Sequence, residues 1–223
     1  MQTKINNPQQ KRTLNLLKQL KYNLPCPVSP IIPVPQDLKI TARLRVISKA
    51  SLGNPSEIKL LAKWRKAKAN WFPTIFRVTQ EGTRRWAQQQ LLENPLRISF
   101  MIEDLLKQPI GHLGLNNIDF TTRSYELDNV LRGNPAIPGI MTAAVGAFRQ
   151  WVATHLNLTD THLRVFKDNK RAVALYRRCG FKTVKTVPLK KTTQGDTISY
   201  VETEDETQRG ERFFLRMKYF GDS

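Results

Sequence analysis

Acidic residues are scarce in this sequence, and residues 1–36 have none at all. The whole chain of 223 residues sets 18 Asp and Glu against 36 Lys and Arg, a formal net charge of +18. Cysteine is nearly missing too. Cys26 and Cys179 stand far apart and make neither a disulfide framework nor a zinc site, and three scattered histidines supply no metal cluster. A reducing cytoplasm is the expected setting, with no metal cofactor. No apolar run approaches the roughly 18 residues that a membrane span needs. The first residues lack an apolar block ending in small side chains, which argues against a secretory leader.

What remains is a chain of ordinary apolar content, long enough for one sizeable core with an added arm. Its charge says nothing about fold but speaks about partners. A basic surface attracts polyanions and anionic small molecules, so nucleic acid, a nucleotide-activated substrate and cofactor phosphates are the candidates.

The first 36 residues read as a basic, proline-rich arm or linker. Lys11 to Lys21 can form a short helix with Leu14, Leu17 and Leu20 near one face. Pro25, Pro27, Pro30, Pro33 and Pro35 then rule out helix or a central strand and predict an extended linker or surface strap. Composition alone also allows a disordered leader. The folded domain is expected over 37–223. Leu38 to Ile47 alternates like a strand, and Asn54–Pro55 opens a helix. Thr79 caps a second helix, and strands follow over Arg97–Ile102, Pro109–Phe120 and Ser124–Leu131. Pro138–Gly139 starts a long helix that ends near Asn157. Thr161–Phe166 is a strand, and Asp168 is the expected cap of a helix closed by Gly180. Strands over Phe181–Val187 and Arg212–Tyr219 finish the chain. The acidic run Glu202, Glu204, Asp205 and Glu206 reads as a solvated turn or loop. Antiparallel strands first and strand–helix–strand units later predict an α/β fold, not a doubly wound one.

One segment carries a chemical pattern: Asp168-Asn-Lys-Arg-Ala-Val-Ala-Leu-Tyr-Arg-Arg-Cys-Gly-Phe181. Asn169 and Tyr176 are seven residues apart, so on a helix they share a face to within about 20°. Read by periodicity alone, the same helix could be plain packing, with Tyr176 a buried aromatic. The segment resembles the closing motif of the GNAT acetyltransferases at Asn169, Ala172, Leu175, Tyr176, Gly180 and Phe181. The resemblance extends over most of Leu38 to Tyr219. Trp64-Arg65 is similar to the Trp-Arg helix of the ribosomal-protein and amino-sugar acetyltransferase branches. Arg97–Asp104 with Pro109–Leu115 resembles their central hairpin, and Tyr125–Leu131 their fourth strand.

This likeness implies a mostly antiparallel seven-stranded sheet, splayed between its fourth and fifth strands and flanked by four helices. It implies acetyl-CoA as co-substrate, with its pantetheine arm along Asn129, Val130 and Leu131. The amides of Gly139, Ile140 and Met141 would meet the pyrophosphate, and Asn169 would line the cleft. The family's pyrophosphate loop is thinned here: Ala136 stands at its Arg/Gln position, Met141 at its last small position, and Pro138 removes an N–H donor. Either Arg132 or other basic groups supply the missing charge, or acyl-CoA binding has decayed. Tyr176 is the implied proton donor to the leaving thiolate, its reference pKa of about 10 being close to that of a thiol. Glu126 is the first candidate for the base and His112 the second; Glu126 and Asp128 share a strand face. Trp71, Phe72, Phe76, Arg77 and His112 are candidates to contact the acceptor. That acceptor is a primary amine, on a nucleotide-linked amino sugar or another small molecule, or on a protein N-terminus. The competing expectation is a non-catalytic module of the same fold that binds nucleic acid through its basic surface.

Overall fold

In the computed structural model, which describes residues 8–203 and 211–221, the chain divides into two compact units. The first comprises Met1–Pro55 with Arg85–Thr161, the second Ser56–Arg84 with His162–Ser223.

The first unit begins with α1 (Pro8–Tyr22), where proline is tolerated because the first turn has no intrahelical N–H partner to lose. Leu16, Leu17 and Leu20 are buried, so this basic helix is docked by one apolar face. Strand β1 (Ile31–Gln36) follows, then β2 (Lys39–Val46) and the short α2 (Lys49–Gly53). The proline-dense stretch is extended, as expected, and is also paired: Ile31 to Gln36 runs antiparallel to β2. Ile32 and Val34 are buried, while Pro33 and Pro35 alternate with them on an edge strand. An edge tolerates proline because one of its sides needs no donors. Strands β4 (Ile98–Asp104), β5 (Pro109–Asp119) and β6 (Ser124–Arg132) continue the sheet in the order β1-β2-β4-β5-β6, every pairing antiparallel. Helix α5 (Ile140–Leu156) packs on β1 and β2. Its Phe148 and Trp151 meet Phe100 edge-on at 5.5 and 5.3 Å, forming the aromatic centre of this core. Asn157 ends the helix with φ 56°, a left-handed stop.

In the second unit, α3 (Pro55–Ala67) leads to a 3₁₀ turn (Ala69–Trp71) and the short β3 (Thr74–Ile75). Thr79 caps α4 (Gln80–Trp86), its hydroxyl accepting from the Gly82 N–H at 3.0 Å. A π-helical segment (Ala87–Glu93) continues α4 into the first unit's sequence. Then come β7 (Asp160–Phe166), α6 (Lys170–Arg178), β8 (Phe181–Gln194), β9 (Thr197–Glu202) and β10 (Arg212–Tyr219). Strand order is β7-β10-β8-β9-β3, again antiparallel throughout.

The α/β class read from the sequence is the observed one, but its element count was low. Among the described residues there are ten strands instead of seven and six α-helices instead of four. The extra strands are β1, disguised by proline, and β3 and β9, which are too short or too polar to alternate. Strand β8 also runs on past Val187 to Gln194. The expected cap at Asp168 is corrected to Asn169, whose Oδ1 accepts from the Ala172 N–H at 3.2 Å. Asp168 instead pairs with Arg212 through both carboxylate oxygens, at 3.1 and 2.9 Å. Of the acidic run, Glu202 ends β9, and Glu204, Asp205 and Glu206 lie outside the described residues.

Candidate active site

The candidate residues fall into one set in each unit. In the first, β5 and β6 pair regularly from Leu115–Leu127 to Gly114–Asp128, and then His112 pairs with Leu131. Two residues, Asn129 and Val130, therefore oppose Leu113 alone. This is a β-bulge, and Asn129 takes φ 51° within it, a conformation asparagine tolerates better than most. The bulge interrupts the ladder at the residues expected to carry a pantetheine arm, leaving backbone groups there without their regular cross-strand partners.

His112 holds this bulge in place. Its Nδ1 lies 2.7 Å from the Asn129 carbonyl oxygen, which can only accept, so Nδ1 carries the proton. Burial lowers the imidazole to about 4, against the opposing pull of the Asn129 carbonyl, and Arg97 lowers it further. His112 is thus neutral at physiological pH. Two carboxylates lie before the bulge on β6, Asp128 opposite Gly114 and Glu126 opposite Asn116. Asn117 donates to Glu126 at 2.7 Å, and Glu126 is buried. Asp128 is paired with Arg97 and accepts from the Asn129 side chain at 3.3 Å. Burial raises the Asp128 pKa and Glu126 raises it further, while Arg97 opposes both. The partner of Asp128, Arg97, lies 31 positions away, invisible to any local pattern.

The same unit holds the α5 entrance. Gly139 has φ 81°, which only glycine adopts readily, and Ile140 and Met141 start the helix with buried side chains. The amides of a first helical turn have no intrahelical acceptor and favour an anion. Arg132, exposed, ends β6. Gln36 of β1 is the unforeseen member: its Nε2 donates to the Pro138 carbonyl at 2.8 Å, and its Oε1 is buried without a partner. A Cβ on Gly139 would come within 2.8 Å of the Gln36 Nε2. An amide from the proline-rich strap thus sits at the loop whose own Arg/Gln position is Ala136. No sequence pattern links positions 36 and 138.

In the second unit, α6 presents Tyr176, only 7% exposed, with its ring edge-on to Phe181 at 6.0 Å. Asn169 is the helix cap described above. Arg65 of α3 lies over Phe72 at 3.8 Å and Phe76 at 4.9 Å and donates to the Thr74 carbonyl at 2.5 Å. Its Nη1 is buried without a hydrogen-bond partner, and burial lowers the guanidinium to about 10. Trp71 is partly exposed, with Arg212 stacked 5.7 Å from its ring. Arg77 is exposed between β3 and α4.

The family described as acetyltransferase (GNAT) domain matches residues 52–182. The chain belongs to that family. Among curated proteins, this GNAT chain is 32% identical over 82 residues to a spermidine N(1)-acetyltransferase of Vibrio cholerae serotype O1, covering 37% of this chain and 47% of that protein. It thus spans about half the length of the curated relative it matches. Among solved structures, the GNAT fold is shared with a Salmonella typhimurium acetyl transferase that modifies the N-terminal serine of ribosomal protein L7/L12. That likeness has a TM-score of 0.62 at 20% identity, covering 86% of this chain and 99% of the other. A dodecameric spermidine N-acetyltransferase from Vibrio cholerae gives a TM-score of 0.58 at 17% identity, covering 82% and 95%.

Proposed function

We propose that this GNAT chain is an acetyl-CoA-dependent N-acetyltransferase acting on a primary amine. The acceptor is an anionic small molecule, such as a nucleotide-linked amino sugar, or a protein N-terminus. The observation that carries the reading is the bulge at Asn129–Val130, pinned by His112, with the buried carboxyl of Glu126 and the half-buried one of Asp128 preceding it on β6.

The residues present fit the co-substrate. Asn129 and Val130 offer backbone groups released from the ladder, beside Leu131 where pairing resumes. Gly139, Ile140 and Met141 offer helix N-terminal amides, with Gln36 and Arg132 beside a loop poor in polar side chains. The co-substrate supplies an activated acetyl thioester. An amine reaches it protonated at neutral pH and must lose a proton before attack. Asp128, with its raised pKa, accepts that proton, directly or through water, and Glu126 shares the charge on the same strand face. His112 acts by holding the bulge through the Asn129 carbonyl. Tyr176 returns a proton to the departing thiolate.

The test has two parts. Acetyl-CoA at about 100 times its Kd stabilises the protein by about 2.7 kcal/mol, which raises Tm by several degrees. CoA release is then followed against a panel of amino sugars, nucleotide-linked amino sugars and peptides. Tyr176→Phe lowers kcat by about 10²-fold or more while acetyl-CoA still raises Tm. No shift of Tm with acetyl-CoA, or full turnover by the phenylalanine variant, overturns the reading.

A further inference from the structure

Strand β10 lies between β7 and β8, and its even-numbered residues form one face of that sheet. Across the three strands, Arg164, Arg216 and Lys185 make one row and His162, Lys218 and Lys182 the next. Lys182 and Lys185 are three positions apart, so in a regular strand they would point to opposite faces. They do not, because the register slips between Arg216 and Met217: Arg216 pairs with Lys185, Met217 with Thr183, and Val184 is left over. This bulge brings both lysines onto the face of Arg216 and Lys218. The same face carries Phe166, Phe214 and Val187 in its other half, all buried, so the cations occupy the part left open.

Arg164, Arg216, Lys182 and Lys185 are exposed. Glu202 bridges Arg164 and Arg216, and these arginines hold its carboxyl below the usual range although burial opposes them. Neither Lys182 nor Lys185 has an ion pair among the described residues. Like charges directly opposite on neighbouring strands destabilise a sheet. Four exposed cations, Arg164, Arg216, Lys182 and Lys185, gathered around Glu202 therefore form an arrangement that a partner of high negative charge density would relieve.

We propose that this face docks the phosphate backbone of a double-stranded nucleic acid, in addition to acetyl transfer. A duplex carries a charge every ~1.7 Å along its axis. An extended acidic peptide turns alternate residues away and can offer one charge only every ~7 Å to a flat sheet. The exposed side chains of these two rows are cations, and the aromatic rings of the face are buried. It reads backbone and not base sequence.

The test uses the full chain and labelled 20-base-pair RNA and DNA duplexes of mixed sequence, with fluorescence anisotropy measured over a range of KCl. The double variant Lys182→Gln/Lys185→Gln is compared with Lys11→Gln/Lys18→Gln on α1, which removes the same charge from exposed positions of the other unit. The sheet variant is expected to weaken binding at least about fivefold and to flatten the plot of log K against log salt by about 1.8, roughly 0.9 for each lost phosphate contact. The α1 variant should change Kd less than twofold. Both should keep the Tm and the acetyl-CoA shift of the unaltered chain, so failure here is separate from failure of the transferase reading. Similar binding to both duplexes, or a preference for either, fits phosphate docking. Absence of binding, equal loss in both variants, or stronger competition by oligoglutamate than by unlabelled duplex at equal charge overturns it.

Discussion

Asp128 shows how one side chain acquires a chemical role from its surroundings. A carboxylate on an exposed strand would titrate near 4 and be a poor base for an ammonium group. Here burial raises it, Glu126 adds repulsion, and Arg97 limits the rise. In the proposed reaction the base must be unprotonated, so activity grows as pH rises through the pKa of this group. The acid limb of kcat/KM is therefore expected above the ordinary carboxylate range. Asp128→Asn should remove that limb and lower kcat by about 10²-fold, whereas Glu126→Gln should move the limb down in pH with a smaller loss. Rate–pH profiles of the three proteins decide it; an unchanged limb in the asparagine variant excludes Asp128 as the base.

The N-terminal helix and strand act as elements. Helix α1 buries Lys21, whose Nζ donates to the carbonyls of Asn94 at 2.7 Å and Arg97 at 3.3 Å. Burial lowers this amine to about 8 from its ordinary 10.5. Between those values the unfolded chain keeps the proton and the folded one has lost it. Stability therefore rises with pH across this window and is reduced below it, where the folded state must carry a buried charge. Denaturant unfolding from pH 7 to 10.5 should show that rise, and Lys21→Met should abolish it. Strand β1 contributes through Gln36. Gln36→Ala removes the donor to the Pro138 carbonyl and is expected to raise KM for acetyl-CoA about three- to tenfold with kcat within twofold, the cost of about one hydrogen bond. An equal loss in KM and kcat would mean the strap matters to the fold at large and not to this loop.

At the scale of the molecule, the net charge of +18 separates the acceptor classes. Attraction between this surface and an anionic amine is screened by salt, with a Debye length of about 10 Å at 0.1 M. KM for an anionic acceptor should therefore rise between 20 and 300 mM salt. KM for a polyamine should fall over the same range, as repulsion is screened. Steady-state kinetics at several ionic strengths separate these classes.

The order of most elements and the family were legible in the residues alone, because Gly180, the Thr79 cap and the Asn169–Tyr176 pattern are written in neighbouring positions. The charge and the candidate residues on β6 and α6 were legible there too. The sequence could not show that prolines 33 and 35 sit in a paired edge strand, nor that Gln36 reaches Pro138. Nor could it show Arg97 beside Asp128, or Lys182 and Lys185 on one sheet face. Those pairings join positions far apart in the chain or depend on a one-residue slip in register. Only the packing of strands, which sets register and burial together, decides them.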